Sequence, residues 1–315
     1  MTDAAIRVVR PGLLTTIQDL GRWGHQASGV PVAGPMDTFS HRLANALVGN
    51  APDAATLEIM LIGPELEFSV ATVVAVCGAE FEITCNGQTI AGSASVSIPC
   101  GGRVHFGRRR AGARAYLAVA GGVQTAPLLG SRATHLVSAM GGLQGRALIV
   151  GDQLPIQPDA PGVKPHRAAG ITLPTGRARL RILPGPQADW FTPQAMATLT
   201  SVSFRISPRS NRMGYRLQGP PLPRSRVDEP ISEPVAFGAI QVPAAGEPIL
   251  LMADRQTAGG YPKIASVIAA DLPIAGQLAP GDFIEFAAAS RHEAASALIA
   301  RERPLLRVSD HVTRS

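Results

Sequence analysis

Lysine is nearly missing from this chain of 315 residues: Lys164 and Lys263 are the only two among 29 basic residues. A phosphate-cradling P-loop needs Gly-x4-Gly-Lys followed by Ser or Thr, and neither lysine, in PGVKPH or in YPKI, sits in one. A nucleotide site of that kind is excluded. Nor does either lysine stand in a Met-Lys-Met-like turn, so the chain is not itself a lysine-linked swinging-arm carrier. Cysteine is scarce too. Cys77, Cys85 and Cys100 are odd in number and lack CxxC spacing, which excludes a disulfide framework and a zinc knuckle and fits a reduced compartment. No HExxH, no His-pair metal spacing and no Gly-x-Ser-x-Gly elbow occurs, so no metal ligand is expected. No apolar run reaches the roughly 18 residues of a membrane helix. The N-terminal MTDAAIRVVRPG carries Asp3 and no apolar core of signal-peptide length, which argues against export and for the cytoplasm. Aromatic residues make up only 4%, too few for the stacking platforms of a nucleic-acid binder, despite a net charge of +6 that is almost all guanidinium.

What is present points to a folded, β-rich chain. At about 150 residues per domain the length suggests two domains. Apolar residues at 45% against 17% charged exclude long disorder. The 33 glycines and 27 prolines far exceed the roughly 38 of both together expected at average usage, and no collagen-like period accompanies them. Tight turns between short strands follow. Residues 70 to 120 read as consecutive strands, VATVVAVCG, AEFEITC, QTIAG, ASVSIP, RVHFG and RAYLAVAGG, with a hairpin at Asn86-Gly87 and a second one capped by Arg108 to Gly112. Beyond residue 176 the strand pattern resumes with ARLRILPG, SVSFRIS, AIQVPA, PILLMA and DFIEFAA. Helices are expected at Thr38 to Val48, behind an Asp37 N-cap, at Pro193 to Leu199 and at Arg291 to Arg301. The Pro- and Gly-punctuated stretch from 155 to 176 is the expected linker, giving domains 1–165 and 166–315, the second ending in a C-terminal helix. Arg22, Gly24, His25 and Gly29 echo Arg212, Gly214, Tyr215 and Gly219 at identical spacing, which suggests two related halves.

Three polar clusters are candidates for chemistry. Residues 13 to 37 supply Thr16, Gln18, Asp19, Arg22, His25 and Asp37 in a glycine-punctuated frame. Arg22 and Gln18 suit an anion or amide, with Asp19 as orienter or proton acceptor; the alternative is a turn ion pair between Asp19 and Arg22 with His25 at the surface. Residues 253 to 267 place Asp254, Gln256, Thr257 and Tyr261 after the apolar strand PILLM, as a ligand-holding loop or as a turn that Asp254 caps. Arg209, Arg212 and Arg216 fall within eight residues beside Tyr215, as an anion nest or a solvated face.

The motifs together are more specific than any one of them. PGLLTTIQDLGRWGHQASGVPVAGPMD, ANALVGN with Glu58 following, YLAVAGGV, LGSRATHL, NRMGYRLQGPPL, GAIQVPAAGEPILLMADRQTAGGYPKIASVIAADL and LAPGD occur in this order. The series resembles the biotin-dependent carboxyltransferase family called allophanate hydrolase subunit 2. That family includes the C-type subunits of 5-oxoprolinase, the Kip-type antagonists and the second half of the urea carboxylase carboxyltransferase domain. The resemblance covers about residues 6 to 286 and implies two tandem cyclophilin-like β-barrel domains. It also implies a B-type, Kip-inhibitor-like partner, with a lactam-hydrolysing A-type partner or a biotin carboxylase beside it, ATP bound by the complex, and biotin, where used, supplied by a partner. The activity implied is ATP-dependent opening of 5-oxoproline to glutamate or a related carboxyl transfer; the alternative is a non-catalytic protein that binds a kinase inhibitor. For either chemistry, Arg22, Gln18, Gln256, Thr257, Arg212 and Tyr261 are expected to stabilise developing negative charge, and Asp19, Asp254 and Tyr215 to manage a proton.

Overall fold

The computed structural model describes residues 4–157, 167–226 and 228–313; Lys164 and the middle of the expected linker lie outside them. Backbone proximity divides the chain into two compact units. Unit 1 holds Met1–Arg22, Ala33–Leu173 and Glu302–Ser315; unit 2 holds Trp23–Val32 and Pro174–Arg301. Both units are built mainly of β structure. Among the described residues no helix is long and apolar enough to cross a membrane.

Unit 1 contains β1 (Ala5–Arg10), β2 (Leu14–Gln18), α1 (Thr38–Leu47), β3 (Thr56–Met60), β4 (Glu65–Phe68), β5 (Thr72–Cys85), β6 (Gln88–Thr89), β7 (Ser95–Ile98), β8 (Arg103–Val119) and β9 (Gln153–Pro155). They form a nine-stranded half-barrel in the order β2-β3-β8-β4-β1-β9, with β5 branching from β8 and β6 and β7 pairing with β5. The branch explains why this sheet does not close as a plain barrel. The start of β8 pairs with β4 and its end with β3, while β5 runs along its other edge through three register shifts between Gly78 and Ile83. Bulges of this kind bend and twist a ladder without ending it. They also correct the sequence reading of a hairpin at Arg108 to Gly112. These residues lie inside one 17-residue strand, and three consecutive exposed arginines break its alternation because the ladder is bulged, not because the chain turns. The Asn86-Gly87 hairpin is present, with φ of 49° and 82° as a type I′ turn requires.

Period-two alternation distributes the unit 1 core over both faces of β8. Ala115, Leu117 and Val119 join Ile6, Val8, Leu57 and Phe68 in one cluster. Tyr116, Ala118 and Ala120 meet Phe39, Leu43 and Leu47 of α1 in the other. Asp37 caps α1, accepting from the Ser40 backbone N–H at 2.8 Å and from the Ser40 hydroxyl at 2.6 Å.

Unit 2 contains β10 (Arg177–Pro184), α2 (Pro193–Ser201), β11 (Ser203–Ile206), β12 (Gly214–Gln218), β13 (Glu233–Pro234), β14 (Ala239–Gln241), β15 (Ile249–Leu251), β16 (Ala258–Gly259), β17 (Lys263–Val267), α3 (Leu272–Gly276) and β18 (Phe283–Ala288). Seven strands close in the order β10-β17-β14-β15-β12-β11-β18, and a parallel ladder between β10 and β18 completes the ring. Closure leaves no exposed edge. Leu180, Phe204, Leu217, Ile240, Leu250, Ile264 and Phe286 are buried within this unit. The small β13-β16 ribbon stands apart from the barrel ladder. α4 (Arg291–Thr313) extends twelve residues past the expected end, and Glu302 on it pairs with Arg42 at 2.7 Å.

The echo between the segments at Arg22 and Arg212 does not correspond to equivalent positions. Arg22 lies in the loop after β2 and leads to a 3-10 turn at Gln26–Ser28, whereas Arg212 lies in the turn before β12, which carries Gly214 and Tyr215. Matching residue types at matching spacing here serve different backbone conformations.

Candidate functional site

The polar residues of the first cluster face their own backbone. Asp19 accepts from the Gly21 N–H at 2.9 Å, from the Ser131 hydroxyl at 2.6 Å and from the Arg132 N–H. Arg22 is fully buried and donates to the carbonyls of Leu128, Ser131 and Ala133. Gln18 donates to the Thr16 hydroxyl and to the Thr134 carbonyl. Together these groups staple the 128–134 loop onto β2. Gly141 is needed at this staple, because a Cβ there would lie 2.4 Å from an Arg22 guanidinium nitrogen and 2.1 Å from the Ala133 carbonyl oxygen. Asp37 is committed to its helix cap and also donates its N–H to the Tyr116 hydroxyl. His25, half-buried, belongs to unit 2. Asp19 and Arg22 both hold the 128–134 loop.

Beneath α1 the sequence reading missed a buried polar network. The Tyr116 hydroxyl donates to Glu58 at 2.7 Å, Glu58 also accepts from the Met36 N–H at 2.9 Å, and the Arg114 guanidinium lies 4.0 Å from its other oxygen. Burial, reinforced by the Glu58 and Asp37 charges, holds the Tyr116 phenol protonated, its pKa well above the usual value. Burial likewise lowers His41 to about 4 against the opposing pull of Asp19 and Glu58, so its ring is neutral beside the Thr56 hydroxyl.

The second and third clusters do come together, in unit 2. Strand alternation turns Tyr215 and Leu217 of β12, Ile240 of β14 and Leu250 of β15 to one face. Gly214 and Arg216 of β12, Ile249 and Leu251 of β15 and Gln241 of β14 therefore share the other, in register with one another. A pocket of about 200 Å³ sits on that face, rimmed by Arg209, Asn211, Gln256 and Tyr261. The β13-β16 ribbon covers one side of it. Val235 beside β13 packs on Leu251 and Ala239, and Lys263 holds the ribbon through Glu233 at 2.7 Å, an ion pair that keeps the Glu233 carboxyl below its ordinary range.

Three arginines close in sequence thus divide between two tasks. Arg209 and Arg216 line the pocket. Arg212 turns inward and forms a two-pronged pair with Asp254, at 2.9 and 3.0 Å, with both side chains buried. This fork, with the Asp254 N–H donating to the Arg212 carbonyl, clamps together the two segments that bear the rim. Tyr215 is also committed internally, its hydroxyl 3.0 Å from the Leu278 carbonyl and 3.3 Å from that of Ala275. Asp254, Arg212 and Tyr215, expected at a ligand, thus each make hydrogen bonds within the chain itself. Gln256 and Tyr261 are exposed at the pocket, and Thr257 is half-buried, its carbonyl accepting from the Val235 N–H. The group the sequence reading missed is Gln241, 2% exposed in the pocket lining. Its signal was a lone amide in the apolar strand AIQVPA. Among the described residues no cluster of three or more His, Cys, Asp or Glu side chains could hold a metal ion.

Comparison with known proteins places this architecture. A family model described as the carboxyltransferase domain, subdomains A and B, matches residues 28–288. The C-type subunit of 5-oxoprolinase from Escherichia coli (strain K12) is 38% identical over 292 residues, covering 93% of this chain and 94% of that protein. The urea amidolyase of Lachancea kluyveri is 34% identical over 306 residues, which cover 90% of this chain but 17% of that enzyme. Among solved structures, the Kluyveromyces lactis urea carboxylase matches with a TM-score of 0.92 at 33% identity, over 98% of this chain and 29% of that one. The chain thus spans under a third of these larger enzymes and nearly the full length of the bacterial protein. With a family match over most of its length, relatives well above 30% identity and a shared fold, this chain belongs to the biotin-dependent carboxyltransferase family.

Proposed function

We propose that the chain is the C-type component of a cytoplasmic, ATP-dependent 5-oxoprolinase that opens 5-oxoproline to glutamate, active only with a B-type partner and a lactam-hydrolysing A-type partner. The end-to-end match to the Escherichia coli protein carries this reading, because the urea enzymes contain the same region as only a small part of a longer chain. Lactam opening places negative charge on the carbonyl oxygen, and preorganised donors aimed at that oxygen lower the barrier. Gln256 and Gln241 present carboxamides at the pocket, Arg209 and Arg216 supply positive charge, and the Tyr261 phenol stands where a proton could be passed. An acceptor oxygen of an amide, lactam, ureido group or carboxylate suits this donor set. In the related carboxyl-transfer reading, biotin carried by a partner would supply the carboxyl group, and the same amides would hold its ureido oxygen. A nucleotide does not suit the pocket. Its volume of about 200 Å³ is below the roughly 300–1,000 Å³ of drug-sized sites, so ATP is assigned to the assembled complex.

Co-expression with A-type and B-type partners, followed by assay of ATP hydrolysis, tests the reading. Hydrolysis that depends on 5-oxoproline and on all three chains is the expected result. Turnover by this chain alone, or turnover driven by urea and not by 5-oxoproline, overturns it, as does a stable partner complex with no turnover, which the antagonist reading requires. Gln256→Ala in the complex is expected to lower kcat by roughly 10²-fold or more, the scale of removing one oxyanion donor.

A further inference from the structure

Gln241 is buried outside the barrel, on the outward face of β14, because the β13-β16 ribbon covers it. Its Nε2 has no hydrogen-bond acceptor among the described residues. Buried donors are satisfied in roughly 90% or more of cases, so an orphan that lines a cavity marks where an acceptor belongs. Gly259 sharpens the geometry. A Cβ at this position would lie 2.3 Å from the Gln256 amide nitrogen and 2.8 Å from that of Gln241, so the two carboxamides converge over a residue that has no side chain to separate them.

The charge of the pocket is one-sided. Arg209 and Arg216 both line it, the lining includes no carboxylate, and neither arginine forms an ion pair among the described residues. The nearest acidic group of the cluster, Asp254, is already held by Arg212. A volume of about 200 Å³ restricts the occupant to something smaller than a drug-sized ligand.

We propose that this pocket binds a small organic carboxylate that also carries an amide-type carbonyl. The carbonyl oxygen accepts from Gln241 and Gln256, and the carboxylate is held by Arg209 and Arg216. This deepens the 5-oxoprolinase reading and rests on it only for the natural ligand, since 5-oxoproline is a molecule of that class. Gln241 is then the residue that specifies a carbonyl acceptor at the pocket floor, and the arginines specify the charge at its rim.

Isothermal titration of the full chain with three probes tests the inference: 5-oxoproline, N-acetylglycine as an open-chain member of the class, and 2-pyrrolidinone as the lactam without a carboxylate. Both carboxylates are expected to bind saturably and the neutral lactam about tenfold or more weakly. Gln241→Leu and Arg216→Ala are each expected to weaken binding of the carboxylates by about tenfold to a hundredfold, the effect of losing one hydrogen bond to a charged or polarised group. Gly259→Ala is expected to give the same loss, because the new methyl meets the ends of the Gln256 and Gln241 side chains first, with Val235 Cγ1 next at 3.3 Å. Arg216 is exposed, so Arg216→Ala keeps its fold if Gln241→Leu does not. Failure of both carboxylates to bind, or binding unchanged in Arg216→Ala and Gln241→Leu, overturns the site. The two readings fail separately. A complex that turns over 5-oxoproline while binding ignores these substitutions refutes the pocket alone, whereas Gln241-dependent binding of N-acetylglycine by a chain whose complex ignores 5-oxoproline refutes the reaction alone.

Discussion

Truncating Asp254 to alanine separates a clamp from a catalytic acid. Its carboxylate accepts two hydrogen bonds from Arg212, at 2.9 and 3.0 Å, and the two side chains are only 3% and 7% exposed. Removing one partner of a buried, hydrogen-bonded ion pair costs about 3–5 kcal/mol. Against a total stability of about 5–15 kcal/mol, that is a large fraction. Replacing both partners with apolar residues of similar size is about neutral, so Arg212→Met combined with Asp254→Leu is expected to recover most of the loss. Urea unfolding followed by tryptophan fluorescence is the assay, since Trp23 and Trp190 both belong to unit 2, where the pair resides. An Asp254→Ala protein with an unchanged midpoint and collapsed turnover of the complex would refute the clamp and make Asp254 a reacting group.

The buried His41 gives a pH dependence of definite sign. Burial lowers its pKa from 6.5 to about 4, so the unfolded chain protonates first as pH falls. The stability it contributes is complete above about pH 6.5 and is lost progressively toward pH 4, by up to about 3 kcal/mol. His41→Gln is expected to flatten that decline, and an unchanged pH profile of unfolding would contradict the assignment. Tyr116→Phe removes the hydroxyl that donates to Glu58 and accepts from the Asp37 N–H; the expected loss is about 1–3 kcal/mol in chemical denaturation, and none at all would mean that the network relaxes freely. Burial raises the Cys77 thiol to about 12, so a thiol reagent is expected to label exposed Cys100 in the folded protein and Cys77 only on unfolding; prompt labelling of Cys77 would show local opening at α1.

Local sequence determined those elements whose cause is local. The Asp37 cap and the apolar face of Phe39, Leu43 and Leu47 specify α1, because an N-cap and a 3.6-residue period need nothing from the rest of the chain. Asn86-Gly87 specifies its turn through two positive φ angles. The motif series was enough to indicate the family, and the polar residues after PILLM were enough to direct attention to unit 2. Tertiary structure decided the rest. Arg108 to Gly112 look like a turn in sequence, yet pairing with bulged β5 holds them in one long strand, a constraint that comes from residues about 28 to 31 positions away. Arg209, Arg212 and Arg216 are indistinguishable as text, and the fold pairs one of them with buried Asp254 and leaves the other two at the pocket. Gln241 is one amide in an apolar strand until the β13-β16 ribbon buries it on the outside of the barrel. Its unmet hydrogen bond follows from that covering element and not from any neighbour in sequence.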